Sequence, residues 1–310
     1  MELKVVFFGL FFIFAETMAA TKNLTAIRWA HAVNSQQLLD ESLNGPIDMI
    51  EADIVLGTLT NNVTAPEQPV MGHPPATTSD ISLDSFLRQI LEFNNKNSSA
   101  TKKGVKLDFK STEVFNGSQA LLRELWPLMD YPVWINADIL SGPVNNTETR
   151  PVDADIFLQA CKNFTNAVLS IGWTTRWGKD FRDGTYETDQ IDTMTSVIRN
   201  NSVPNDITFP IRAGIAANSK LELQNLYLDL NRTNNVTMTV WSSAGDYVDV
   251  KKLKELILAF GVDKVYLDVP KELEDKLDLG SSGALKLGSG LKWMGYVFLA
   301  LNVIVYKMFY

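Results

Sequence analysis

The chain has 310 residues, one cysteine, two histidines and a formal net charge of −8. An acidic balance without a basic run argues against nucleic acid as a partner. A lone thiol excludes a disulfide-stapled scaffold, so the fold must rest on a hydrophobic core.

At the start, Lys4 precedes the apolar run VVFFGLFFIFA, and the small residues Ala19 and Ala20 follow it. This order predicts a secretory signal peptide over 1–20. An uncleaved anchor is the alternative, although the apolar run is short for a span. At the other end, a small and polar linker over 276–292 leads into an apolar tail over 293–310. Ser281, Ser282 and Gly283 form a small-residue ω region, so the layout predicts a GPI anchor at the cell surface. A short transmembrane helix is the alternative; the tail has 18 residues, where a span needs about 20. A single-pass or a fully secreted protein are the corresponding alternatives for location. N-x-S/T sequons start at Asn23, Asn62, Asn97, Asn116, Asn145, Asn163, Asn200, Asn231 and Asn235. Nine acceptors fit a glycoprotein of the secretory pathway, and each requires an exposed asparagine.

The residues between the signals, 21–275, are enough for one large core. In chain order, AIRWAHAV (26–33) reads as a strand and SQQLLDESL as a helix. MIEADIVL (49–56) precedes the helical LDSFLRQILEF. GVKLDFKS (104–111) precedes SQALLRELWPLM, and PVWINADIL (132–140) precedes VDADIFLQACKNF. AVLSIGWTT (167–175) precedes ETDQIDTMTSVIR, and DITFPIRAG (206–214) precedes SKLELQNLYLDL. VTMTVWSS (236–243) precedes DVKKLKELILAF, and VDKVYLDVP (262–270) precedes the short KELEDKL. Apolar residues recur at spacings of three and four in the helical segments. Eight strand–helix units of this size predict an α/β fold, a (β/α)8 TIM barrel in a single domain. A doubly wound open sheet is the alternative, but it carries a glycine turn after its first strand, and AHAVNS has none.

Strand alternation divides each strand into two faces. Val105, Leu107 and Phe109 oppose Lys106, Asp108 and Lys110. Ile50, Ala52 and Ile54 oppose Glu51 and Asp53, and Ile135, Ala137 and Ile139 oppose Asn136 and Asp138. Further along, Arg212, Trp241 and Asp268 fall on the same polar side. The apolar face must meet the helices, which turns the polar face into the barrel. Ordinary barrels fill that space with branched aliphatics. Buried charges are costly unless paired or bound to a metal, so this interior is a functional-site candidate. Trp173 shares the outer face with Leu169 and Ile171 unless its strand bulges. Cys161 falls on an amphipathic helix and reads as core.

Glu51 and Asp53 can reach one cation from a single strand, and Asp108 adds a third carboxylate. Such a set suits a hard cation, Mg2+ or Ca2+. His31 lies late in the first strand, and His73 lies in PVMGHPP. Two imidazoles beside a metal form a kit for cleaving a phosphodiester. Lys110 would balance phosphate charge, and Lys106, Asn136, Asp138, Arg212 and Trp241 are candidate substrate contacts. Taken singly, each has a plain alternative: a packed histidine, a weak E-x-D pair, or a D-x-K ion pair.

The stretches IRWAHAVNS, MIEADIVL, PVMGHPP, KLDFKS, PVWINADIL and SIGWTTRWG closely resemble the menorin (FAM151) family. The resemblance runs from about Ile27 to Pro270. That family looks like a divergent branch of the superfamily of glycerophosphodiester phosphodiesterases and spider-venom sphingomyelinase D-type phospholipases. The resemblance implies a barrel of the PLC-like phosphodiesterase type. By it, His31 and His73 would be the acid/base pair. Glu51, Asp53 and Asp108 would be metal ligands, and Lys110 would bind phosphate. The substrate would be a phosphodiester, such as a lysophospholipid or a glycerophosphodiester. Those enzymes open with a histidine–arginine–glycine run, whereas His31 is followed by Ala32 and Val33, so the surroundings of His31 are expected to differ. The family's association with neuronal development implies a second reading, a non-catalytic cell-surface module with an extracellular protein partner.

Overall fold

The computed structural model describes residues 22–97, 102–144, 149–178 and 181–279. The expected signal peptide, the ω region, the apolar tail and Asn145 lie outside the described residues. Among the described residues, no helix is long and apolar enough to cross a membrane.

A 3-10 turn, Leu24–Ala26, leads into β1 (Trp29–Ala30) and α1 (Gln36–Asn44). Next come β2 (Met49–Leu59), the short strands β3 (Gln68–Met71) and β4 (Thr78–Ser79), and α2 (Leu83–Lys96). β5 (Gly104–Phe109), α3 (Thr112–Leu125), β6 (Val133–Ser141) and α4 (Ala154–Cys161) follow. β7 (Val168–Thr174), α5 (Thr188–Asn200), β8 (Asp206–Arg212), α6 (Ala213–Ala216) and α7 (Lys220–Leu230) continue the pattern. β9 (Val236–Trp241), α8 (Val250–Phe260), β10 (Val265–Asp268) and α9 (Lys271–Leu277) complete it. The sheet order is β1-β2-β5-β6-β7-β8-β9-β10, paired in parallel throughout. This is a nearly closed eight-stranded barrel of the TIM type. Its first and last strands are brought together by Leu24 N–H donating to Val262 O at 2.8 Å and by Trp29 set edge-on to Tyr266.

Several helices begin where the sequence supplies a side-chain cap. Ser35, Ser82 and Ser111 accept from the backbone N–H of Leu38, Ser85 and Val114. Asp153 and Asp249 do the same for α4 and α8. Each cap contributes about 1 kcal/mol. The core lies between sheet and helices. Ile50, Ile54, Leu107, Phe109 and Ile135 are buried there with Leu39, Phe86, Ile90, Phe115 and Leu122. Each such side chain contributes about 1.5–3 kcal/mol when removed from water. Cys161 is buried in the same core.

The lower barrel interior is closed by aromatics. Trp134 lies 5.2 Å from Trp29 and 4.8 Å from Tyr266, ring centre to ring centre. Above them Thr208 and Thr239 share a hydroxyl hydrogen bond. Polar side chains are thereby left to the upper end.

Several local expectations change. The first strand, expected over 26–33, is paired only at Trp29 and Ala30. Asn23 caps the 3-10 turn before it, and Ala32 adopts φ 55° just after it, so extended backbone is short. β3 and β4 were not expected; both pair with β2, which runs on beyond the barrel. α3 begins at Thr112, six residues before the expected Ser118, because Ser111 caps it. Trp173 sits on the outer face against Tyr186 and Phe209. The irregularity is on β6 instead, where the register with β7 shifts between Asp138 and Leu140. Of the sequon asparagines, Asn23, Asn62, Asn116, Asn163, Asn200, Asn231 and Asn235 are exposed, and Asn97 is half-buried.

Candidate functional site

A cavity of about 650 Å3 opens at the C-terminal ends of the barrel strands. His31, Glu51, Asp53, His73, Lys106, Asp108, Lys110, Asn136, Asp138, Arg212 and Trp241 all line it. Every side chain singled out for chemistry in the sequence therefore meets in one place.

Parallel pairing explains the carboxylate cluster. β2 and β5 set Glu51 beside Lys106 and Asp53 beside Asp108. One ligand atom from each of Glu51, Asp53 and Asp108 lies within 4.8 Å of the others. Glu51 Oε2 accepts the Ala32 N–H at 2.7 Å, which the positive φ of Ala32 turns toward it. Burial, then the neighbouring Asp53 charge, push the Glu51 carboxyl up to about 7, against the pull of His31 and Lys106. Burial also acts to raise Asp53, but the Lys110 ammonium and hydrogen bonds from Lys110 and Asn34 outweigh it. The Asp53 carboxyl ends below its ordinary value.

Lys110 bridges the cluster. Its Nζ lies 2.7 Å from Asp53 Oδ1 and 2.5 Å from Asp108 Oδ2. Burial works against its charge, yet Asp108, Asp53 and Glu51 hold its pKa well above the ordinary lysine range. Asn136 Nδ2 donates to Asp108 Oδ1 at 2.6 Å. Asn34 clamps Asp53 twice: its Nδ2 donates to Oδ2 at 2.8 Å, and its Oδ1 accepts the Asp53 N–H at 2.9 Å.

These residues fit a hard cation. The donor set is three carboxylates, all oxygen. Two of them already need a positive charge, which Lys110 provides, and the third is raised partly by a neighbouring carboxylate. The cluster could hold a metal ion.

The histidines arrive by different routes. His31 leaves β1, and its Nδ1 lies 2.9 Å from Asp268 Oδ2 and 3.5 Å from Glu51 Oε2. Burial acts to lower its pKa, but the hydrogen bond to Asp268 and the Glu51 and Asp268 charges raise it to about 9. His73 is carried in by β3, which pairs antiparallel with β2 and sets Met71 opposite Ile54. Gly72 N–H then donates to Asp53 O at 2.9 Å. His73 Nδ1 lies 2.7 Å from the Pro74 carbonyl oxygen, so Nδ1–H is its donor. In both rings Nδ1 is engaged, which leaves Nε2 for proton transfer.

The far half of the cavity differs. Arg212 Nε and Nη2 donate to Asp246 Oδ2 and Oδ1 at 2.9 and 3.1 Å. The same guanidinium lies over the Trp241 ring, 4.8 Å from its centre. On β6, burial and the Asp108 charge push the Asp138 carboxyl up to about 7.

Three partners were not singled out from the sequence. Asp268 falls on the inward face of the eighth strand, and that register was its signal. Its bond to His31 spans 237 residues, which no local pattern reveals. Asn34 lies in AHAVNS, directly after the histidine. Asp246 lies in a loop without periodicity.

Residues 23–274 match the Menorin N-terminal domain. Protein FAM151B of Homo sapiens is 34% identical over 257 residues, which cover 82% of this chain and 87% of that protein. Among solved structures, a probable tagatose 6 phosphate kinase from Sinorhizobium meliloti 1021 is a distant likeness. It has 12% identity and a TM-score of 0.41, over 79% of this chain and 64% of that chain. The chain belongs to the menorin family.

Proposed function

We propose that this protein is a metal-dependent phosphodiesterase of the PLC-like barrel type, displayed at the cell surface. The observation that carries the reading is one cavity holding the clustered carboxylates of Glu51, Asp53 and Asp108 together with both histidines of the chain. Glu51, Asp53 and Asp108 would hold Mg2+ or Ca2+, which when bound polarises a phosphoryl oxygen. One histidine Nε2 takes the proton of the attacking oxygen, from water or a substrate hydroxyl. The other gives a proton to the leaving oxygen. Asp268 and the Pro74 carbonyl fix the two ring orientations. Lys110, released from Asp53 and Asp108, binds the phosphate. Seven exposed sequon asparagines and the signal-like ends support passage through the secretory pathway and a GPI anchor. Release from cells by a phosphatidylinositol-specific phospholipase C tests the anchor.

The activity test uses glycosylated protein, excess Mg2+ or Ca2+, and a panel of lysophospholipids and glycerophosphodiesters. His31→Ala and His73→Ala should each slow product release by about 10²–10⁴-fold. Turnover that survives both changes together would overturn the mechanism.

A further inference from the structure

The cavity is far larger than a phosphate group requires, and its second half is chemically distinct. Along the wall from β5 to β7, next to the carboxylate cluster, two buried polar atoms have no hydrogen-bond partner among the described residues, and a lysine lies beside them. Lys106 is 4% exposed, and the nearby Glu51 and Asp138 carboxylates feel its charge. Asn136 Oδ1 and Thr174 Oγ1 are buried and unpaired, in residues 3% and 1% exposed. All three residues line the cavity. Strand alternation puts them on the inward faces of three consecutive strands, β5, β6 and β7. Buried polar groups without partners are costly, so this wall is built for a ligand. It offers an ammonium that only donates, an amide oxygen that only accepts, and a hydroxyl that does both. Asp138 adds a carboxyl beside them.

Among the described residues, this wall offers a quaternary ammonium no open aromatic face. A quaternary ammonium is recognised on open aromatic faces. Trp241 is the aromatic side chain here with an indole face on the cavity, and the Arg212 guanidinium already lies over it.

From this wall we infer that the esterified alcohol is a neutral polyol (a glycerol, inositol or sugar unit), whose hydroxyls bond Lys106, Asn136, Thr174 and Asp138, and not a choline-type group. The inference rests on the phosphodiesterase reading for where the phosphate sits. Hydroxyls suit the wall because each donates and accepts. Thr174 is thereby a specificity-determining residue that takes no part in metal binding or proton transfer.

Binding separates this from turnover. Calorimetry on the His31→Ala protein, in saturating Mg2+, compares glycerol 3-phosphate, propyl phosphate and phosphocholine. Propyl phosphate matches the first in charge but lacks its hydroxyls. Glycerol 3-phosphate should bind at least tenfold more tightly than either. Thr174→Val, which keeps the side-chain shape, should erase the margin over propyl phosphate, and Thr174→Ser should restore it. Lys106→Met should weaken glycerol 3-phosphate by a similar factor. Equal binding of glycerol 3-phosphate and propyl phosphate, or tighter phosphocholine, overturns the polyol assignment and leaves the phosphate site standing. Failure of all three probes and of inorganic phosphate overturns both.

Discussion

Replacing Lys110 with methionine removes the ammonium 2.7 Å from Asp53 and 2.5 Å from Asp108 while keeping most of the side-chain volume. Three carboxylates within 4.8 Å of one another then lose their bridging cation. At an effective dielectric constant of about 20, two unit charges at that separation repel by about 3.5 kcal/mol. Removing one partner of a buried ion pair costs about 3–5 kcal/mol. The ion-free Lys110→Met protein should therefore lose about 3–5 kcal/mol of stability, or roughly 6–20 °C in Tm for a domain of this size. A divalent cation supplies the missing charge, so it should raise the Tm of the variant more than that of the parent. Mg2+ should also bind the variant at least tenfold more tightly, because no ammonium has to be displaced. Scanning calorimetry in chelator and in excess Mg2+, with a titration of each protein, reads all three quantities. The reasoning fails if Lys110→Met leaves the Tm in chelator unchanged, or if Mg2+ shifts both proteins equally.

Asp268→Asn should lower the His31 pKa in chelator-treated protein from about 9 toward about 6.5, as read by NMR of the imidazole. Because the folded value is raised, the stability His31 contributes is complete below about pH 6.5. It is lost as pH rises through about 9, so the variant should show a shallower loss of stability in that window. An unchanged pKa would mean that Asp268 does not hold the ring. Gly172→Ala places a Cβ 2.8 Å from Pro210 Cγ and 2.9 Å from Asp138 Oδ1. Urea denaturation should report about 1–3 kcal/mol of destabilisation from that crowding, and a neutral result would contradict the close approach of β7 to β8. Cys161 is fully buried and burial raises its thiol pKa, so a thiol reagent should label it only after unfolding. Fast labelling of native protein would show that α4 is not packed as described.

Much of this architecture is legible because parallel barrel strands carry two separate messages. In GVKLDFKS the apolar residues lie against helices and the polar ones face inward, so Lys106 and Asp108 declare the site before any contact is known. The same alternation placed Trp173 outside, where Tyr186 and Phe209 meet it. β3 was not legible. It is four residues, includes Pro69, and exists because β2 offers it an edge beyond the barrel. That omission matters, since β3 is what returns His73 to Asp53. Apolar alternation in AIRWAHAV predicts a longer first strand, because it does not reveal that Ala32 turns to φ 55° and points its N–H at Glu51. For Lys110 the sequence offers two readings, a phosphate contact and a D-x-K ion pair; the pair with Asp108 is present, and only the tie to Asp53 needed geometry.

The central claim is that Glu51, Asp53 and Asp108 hold one divalent cation in a cavity flanked by both histidines. Crystals soaked in Mn2+ and measured at its absorption edge test this most directly. One anomalous peak should appear among the three carboxylates, each within bonding distance, with the Lys110 ammonium moved off Asp53 and Asp108. A fully occupied Mn2+ elsewhere, with Lys110 still bridging the two aspartates, would contradict it.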